Sequence, residues 1–159
     1  MRQPEAILRQ NLDAAERMAR NLERSREQAG RDLPVTPQDV SRLTDEQIDR
    51  LDLFLARFGK LHDFIVSKLS RSVALASLED TSGDVSVLDM LRRMEKFGIV
   101  ESADDWQQLR LLRNSFAHEY LTDDTAIAEN INGAFELAPV LTETLKRAER
   151  YFAEHIARA

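Results

Sequence analysis

The chain has 159 residues, 43% of them hydrophobic, with a formal net charge of -6, a length that suits one core rather than two and so predicts a single domain over residues 1–159. The acidic balance repels nucleic acid at long range, so any RNA contact has to be local. The absence of cysteine excludes a disulfide framework, a thiolate metal site and a cysteine nucleophile, and no stretch is apolar for long enough to span a bilayer, which leads us to expect a cytoplasmic protein without membrane association.

Gly and Pro are few and grouped, and the tracts between them repeat apolar residues at helical spacing. A first helix is expected over about 4–28, carrying Ile7, Leu8, Leu12, Ala15, Met18, Ala19 and Leu22, with Pro4 in its opening turn and Gly30 past its end. Residues 31–43 form a Pro-containing connector. Thr44 with Gln47 has the pattern of a capping box, and Leu51, Phe54, Phe58, Leu61, Ile65, Leu69, Val73 and Ala76 predict one long helix to about 76 or 78. Ser86 with Asp89 opens a third helix through Leu88, Leu91 and Met94, which stops at Gly98. Ser102 with Asp105 opens a fourth, with Trp106, Leu109, Leu112, Phe116 and Tyr120 on one side. Asp123 or Asp124 caps a fifth over about 125–156, which Pro139 is expected to bend or divide. The pattern is that of an all-α, up-and-down helical bundle over residues 44–159, with an additional N-terminal helix and connector over 1–43.

The run Arg113-Asn114-Ser115-Phe116-Ala117-His118-Glu119-Tyr120 concentrates the chemistry. Arg offers a planar fork that matches phosphate oxygens, and His both takes and gives a proton near neutral pH. On an uninterrupted helix Tyr120 falls close to the azimuth of Arg113, while His118 sits about 140° away. Either the helix ends or distorts near His118, or a second copy of the chain completes the site across a two-fold axis. The same residues also suit plain structure, since Arg and His sit well near a helix C-terminus and a Tyr can end an apolar stripe.

The string from Trp106 to Tyr120, with Arg113, Asn114, His118 and Tyr120 in register, resembles the R-x4-H-x-Y signature of the HEPN superfamily, and within it the HepT-type toxins that accompany minimal nucleotidyltransferase antitoxins. The helix around Arg57-Phe58-Gly59-Lys60-Leu61-His62-Asp63-Phe64-Ile65 and the turn Met94-Glu95-Lys96-Phe97-Gly98-Ile99-Val100 are similar to the same family, and the likeness covers about Thr44 to Leu145. The resemblance implies a HEPN-type bundle acting as a metal-independent, cofactor-free endoribonuclease that works as a homodimer. Arg113 and His118 would be catalytic at the dimer cleft, Asn114 would support them, and Tyr120 would be where the antitoxin attaches AMP. Two other classes remain open: a non-catalytic helical partner that binds nucleotide or substrate for a nucleotidyltransferase, and a plain dimerisation module.

On an ideal helix Arg50, Arg57, Lys60, Lys68 and Arg71 fall within about 80° of one another, together with Leu53 and Phe64. Lys and Arg supply sequence-independent affinity for phosphates and Phe64 could stack on a base, so Arg57, Lys60, Lys68 and Arg71 are the expected RNA-binding residues. The alternative is a solvated face whose long side chains cover apolar surface. The histidines are His62, His118 and His155. None has the Glu three residues before it that a di-iron bundle requires, no nucleotide-binding or zinc-hydrolase motif occurs, and no metal site is expected. His62 and His155 read as packing or surface residues.

Overall fold

The helical spacing of the apolar residues is realised in a computed structural model, which describes residues 2–79, 81–83, 85–116 and 123–157 and contains no strand among them. The order is α1 (Gln3–Ala29), a single turn α2 (Pro37–Val40), α3 (Asp45–Phe64) continued through a π turn (Ile65–Leu69) into α4 (Ser70–Ala76), α5 (Val87–Lys96), α6 (Ala103–Phe116) and α7 (Asp124–Tyr151), which runs into a second π turn (Phe152–Ile156). The chain is an all-α helical bundle. Helix α1 packs along α3, α4 and α7, while α6 is held by α5, α7 and α3. Leu8, Leu12 and Leu22 of α1, Phe54, Phe58 and Leu61 of α3, Trp106 and Leu109 of α6 and Leu141 of α7 meet fully buried in the core, each contributing about 1.5–3 kcal/mol by leaving water.

The starts and stops of the helices obey local chemistry. Thr44 and Gln47 close a reciprocal capping box at 3.2 and 2.8 Å. Ser86 Oγ accepts from the Asp89 N–H at 3.1 Å, and Ser102 Oγ from the Asp105 N–H at 3.2 Å. Helix α5 ends where Gly98 takes φ +76. There the Ile99 N–H returns to the Met94 carbonyl at 2.9 Å and the Gly98 N–H to that of Glu95 at 3.0 Å, the two bonds of a Schellman stop.

Three features depart from the sequence expectations. The connector contains α2, capped by Thr36 and tied to the bundle twice over. Asn132 exchanges hydrogen bonds with the backbone of Val35 at 3.0 and 2.8 Å, and Arg50 grips Asp32 at 3.0 and 3.2 Å. The long second helix contains a π turn at Ile65–Leu69. Its apolar stripe steps by four residues three times running, from Leu61 to Ile65, Leu69 and Val73, which would carry it about 120° around a regular α-helix; the wider turn takes up that drift and keeps Ile65, Leu69 and Val73 buried. Finally, Pro139 does not divide α7, which is one helix through it. Proline leaves the Phe135 carbonyl one turn earlier without its helical donor, and Arg26 of α1 donates Nε to that oxygen at 2.7 Å.

Candidate functional site

The C-terminal half of α6 carries Arg113, and the contacts that hold that half in place also aim the side chain. Phe116 packs edge-on against Phe58 of α3, with ring centroids 5.6 Å apart. Ser115 Oγ donates to the Leu112 carbonyl and lies 3.0 Å from Asn130 Oδ1 of α7. Within the run from Arg113 to Phe116, Ser115 and Phe116 therefore anchor the helix to its neighbours, while Asn114 is exposed and has no hydrogen-bond partner among the described residues.

Arg113 reaches across to α3. Its Nε donates to Asp63 Oδ1 at 3.2 Å and its Nη2 to Oδ2 at 2.9 Å, a two-pronged ion pair. Its guanidinium lies on Gly59, so closely that a Cβ there would stand 2.7 Å from Cζ and Nε. The Nε side of the fork is thus occupied, and the N–H groups of the opposite edge have no partner among the described residues. Arg110, one turn earlier, has no hydrogen bond or ion pair among the described residues, and its charge, like that of Arg113, acts on His62.

His62 completes the cluster. It is buried, its Nδ1 lies 3.0 Å from Asp63 Oδ1, and its ring stacks on Trp106 of α6 with centroids 5.7 Å apart. His62 Nε2 and Trp106 Nε1 are both buried without a hydrogen-bond partner among the described residues. Burial pushes the imidazole below its ordinary value; the hydrogen bond and charge of Asp63 pull the other way without overcoming it, and Arg113 and Arg110 add to the lowering. Burial pushes the Asp63 carboxyl up, but the hydrogen bonds from Arg113 and His62 outweigh that and hold it below its usual value.

The other expected residues are scattered. His118 and Tyr120 lie outside the described residues, as does the rest of 117–122; α6 as described ends at Phe116. The basic stripe is not one free face. Arg57 is half-buried and turned to α1, donating to the Asn21 carbonyl at 3.1 Å and to Ser25 Oγ. Arg50 is committed to Asp32, Arg71 reaches the Thr81 carbonyl at 3.4 Å, and Phe64 packs against the core instead of standing free to stack. Lys60 and Lys68 are exposed and unpaired among the described residues.

Sequence reasoning misses Gly59, Asp63 and Arg110, and sets His62 aside as a packing or surface residue. The signal is present in His62-Asp63 at one end of a resembling segment, but nothing local says that a carboxylate on α3 meets an arginine 50 residues on. Among the described residues no group of three or more His, Asp or Glu could hold a metal ion, and no helix is long and apolar enough to cross a membrane. No family model, curated protein or solved structure matches the chain.

Proposed function

We propose that this chain is an endoribonuclease of the HEPN type, metal-independent, and the toxin of a toxin–antitoxin pair. The observation that carries the reading is the Arg113 guanidinium, fixed on Asp63 by one edge and leaving its other edge for a phosphate. In this mechanism His118 takes the proton of a ribose 2′-OH and the 2′-oxygen attacks phosphorus. The bond to the 5′-oxygen breaks, that oxygen takes a proton from water, and a 2′,3′-cyclic phosphate remains. Arg113 stabilises the charge that builds on the phosphate oxygens. Asn114, exposed beside it, supports the pair. Lys60, Lys68 and Arg71 are the cations of the basic stripe nearest to free, and Arg110, which has no ion pair among the described residues, joins them. A homodimer brings two such sets into one cytoplasmic enzyme. The neutralising partner is a minimal nucleotidyltransferase that attaches AMP to Tyr120, placing bulk and negative charge where substrate phosphate has to bind.

Incubating the purified protein with total RNA in EDTA tests this. Wild type is expected to cleave and leave cyclic phosphate ends, and Arg113→Ala and His118→Ala to lose about 10²-fold or more in rate with the fold retained. Activity that vanishes with chelator and returns with magnesium would overturn the mechanism. A fully active monomer by sedimentation would remove the shared cleft. A wild type that binds nucleotide and cleaves nothing would make the chain the non-catalytic partner of a nucleotidyltransferase.

A further inference from the structure

We infer that Gly59, His62 and Asp63, one turn of α3, form a built seat for Arg113, in which His62 as the Nδ1–H tautomer fixes the Asp63 carboxylate and so the direction in which the guanidinium faces a phosphate. The seat itself is a statement about this fold; its effect on turnover rests on the ribonuclease reading.

Each residue of the turn is poorly explained without Arg113. A glycine inside a helix costs about 0.5–1 kcal/mol relative to alanine, yet Gly59 is buried in mid-helix with Arg113 Cζ and Nε 2.7 Å from where a Cβ would stand. Alanine there would displace the guanidinium. Asp63 has a side chain 55% exposed, and an ion pair so open to water is worth only about 0–1 kcal/mol. Its use lies in geometry, because Oδ1 serves both His62 and the Arg113 Nε while Oδ2 takes Nη2.

His62 is the most telling of the three. Only 3% of it is exposed, and its Nε2, unpaired among the described residues, leaves an unmet polar group that costs about 1–3 kcal/mol. An aliphatic or aromatic side chain would fill the space against Trp106 without that cost. It would, however, lack the donor to Asp63. An ionised carboxylate only accepts, so the bond at 3.0 Å places the proton on Nδ1 and leaves Nε2 as a bare acceptor. Burial also keeps the ring from reaching a ribose hydroxyl. His62 is a positioning residue and not a second catalytic base.

The seat is tested first without RNA, by nitrogen-15 NMR of the whole chain at neutral pH. The expected result is a His62 ring protonated on Nδ1 and an Arg113 Nε–H protected from exchange, with that protection lost in Asp63→Asn and Gly59→Ala while circular dichroism is unchanged. Asp63 is exposed, so its variant keeps the test decisive if Gly59→Ala does not fold. A His62 ring protonated on Nε2, or Arg113 protection unaltered by both variants, overturns the seat.

The second arm uses RNA cleavage. His62→Leu should lower kcat, by up to about 10²-fold as misplacement of a reacting group does, with KM little changed, and His62→Asn, which keeps a donor near the place of Nδ1, should recover most of it. A His62→Leu enzyme as fast as wild type overturns the link to turnover. Failure of wild type to cleave at all refutes the ribonuclease reading alone, since the NMR arm decides the seat independently.

Discussion

Pro139 has no N–H to give the Phe135 carbonyl, and the Arg26 Nε fills that place at 2.7 Å while its guanidinium lies 4.1 Å above the Phe135 ring. Replacing Arg26 with Met strips the half-buried carbonyl of its donor, and the loss of such a bond costs about 0.5–1.5 kcal/mol. In Pro139→Ala the helix supplies its own N–H, so the same Arg26→Met change should cost markedly less. A double-mutant cycle by urea unfolding measures the difference, and additivity of the two changes would refute the account. That Pro139 would divide the helix is sound by local rules, but the residue that answers the proline is 109 positions away. Gly59 is hidden from sequence reading for the same reason, because nothing in its neighbours says that an arginine will lie on it. The capping pairs at Thr44, Ser86 and Ser102 are legible in full, since each is completed within one turn.

At the level of elements, the π turn at Ile65–Leu69 decides how far the basic stripe can be trusted. Azimuths counted on a regular helix hold from Arg50 to Lys60 and lapse past Ile65, because a turn holding one extra residue swings the later side chains by about 100°. Packing of α1 then removes Arg57 from the free face. Arg57→Gln should therefore lower stability by about 1 kcal/mol through lost hydrogen bonds, and leave the salt dependence of RNA binding unchanged. Lys60→Gln and Lys68→Gln should each reduce the slope of log affinity against log salt by about one, with stability unaffected. Filter binding at several salt concentrations separates the two cases; a shallower slope in Arg57→Gln would return it to the RNA surface. The π turn is legible in principle from the three successive steps of four in the apolar stripe, but each step taken alone is ordinary for a regular helix.

For the molecule as a whole, the buried imidazole links the candidate site to stability against acid. An unfolded histidine protonates near 6.5, and folded His62 only at lower pH. Between the two, the unfolded chain binds more protons than the folded one. Stability should therefore be undiminished by this group above about 6.5 and fall as pH drops toward the folded value, with Asp63 adding a further loss at more acidic pH as its lowered carboxyl protonates. Urea midpoints between pH 7.5 and 5 check this, and His62→Asn should flatten the curve; an equal fall in that variant would assign the acid sensitivity elsewhere. The bundle is legible as a whole because periodicity and caps are local signals, and the meeting of α3 with α6 at Asp63 and Arg113 is not, because it depends on how two helices pack.

Trp106 is the one tryptophan of the chain, and its indole lies against the His62 ring. A protonated imidazole quenches indole emission far more strongly than a neutral one, so the protein carries an intrinsic optical probe one residue removed from the carboxylate that holds Arg113. Binding of a phosphate that loosens that carboxylate, or acid that charges the imidazole, would register as a change in brightness of a single chromophore, readable in a stopped-flow cell on the unlabelled chain.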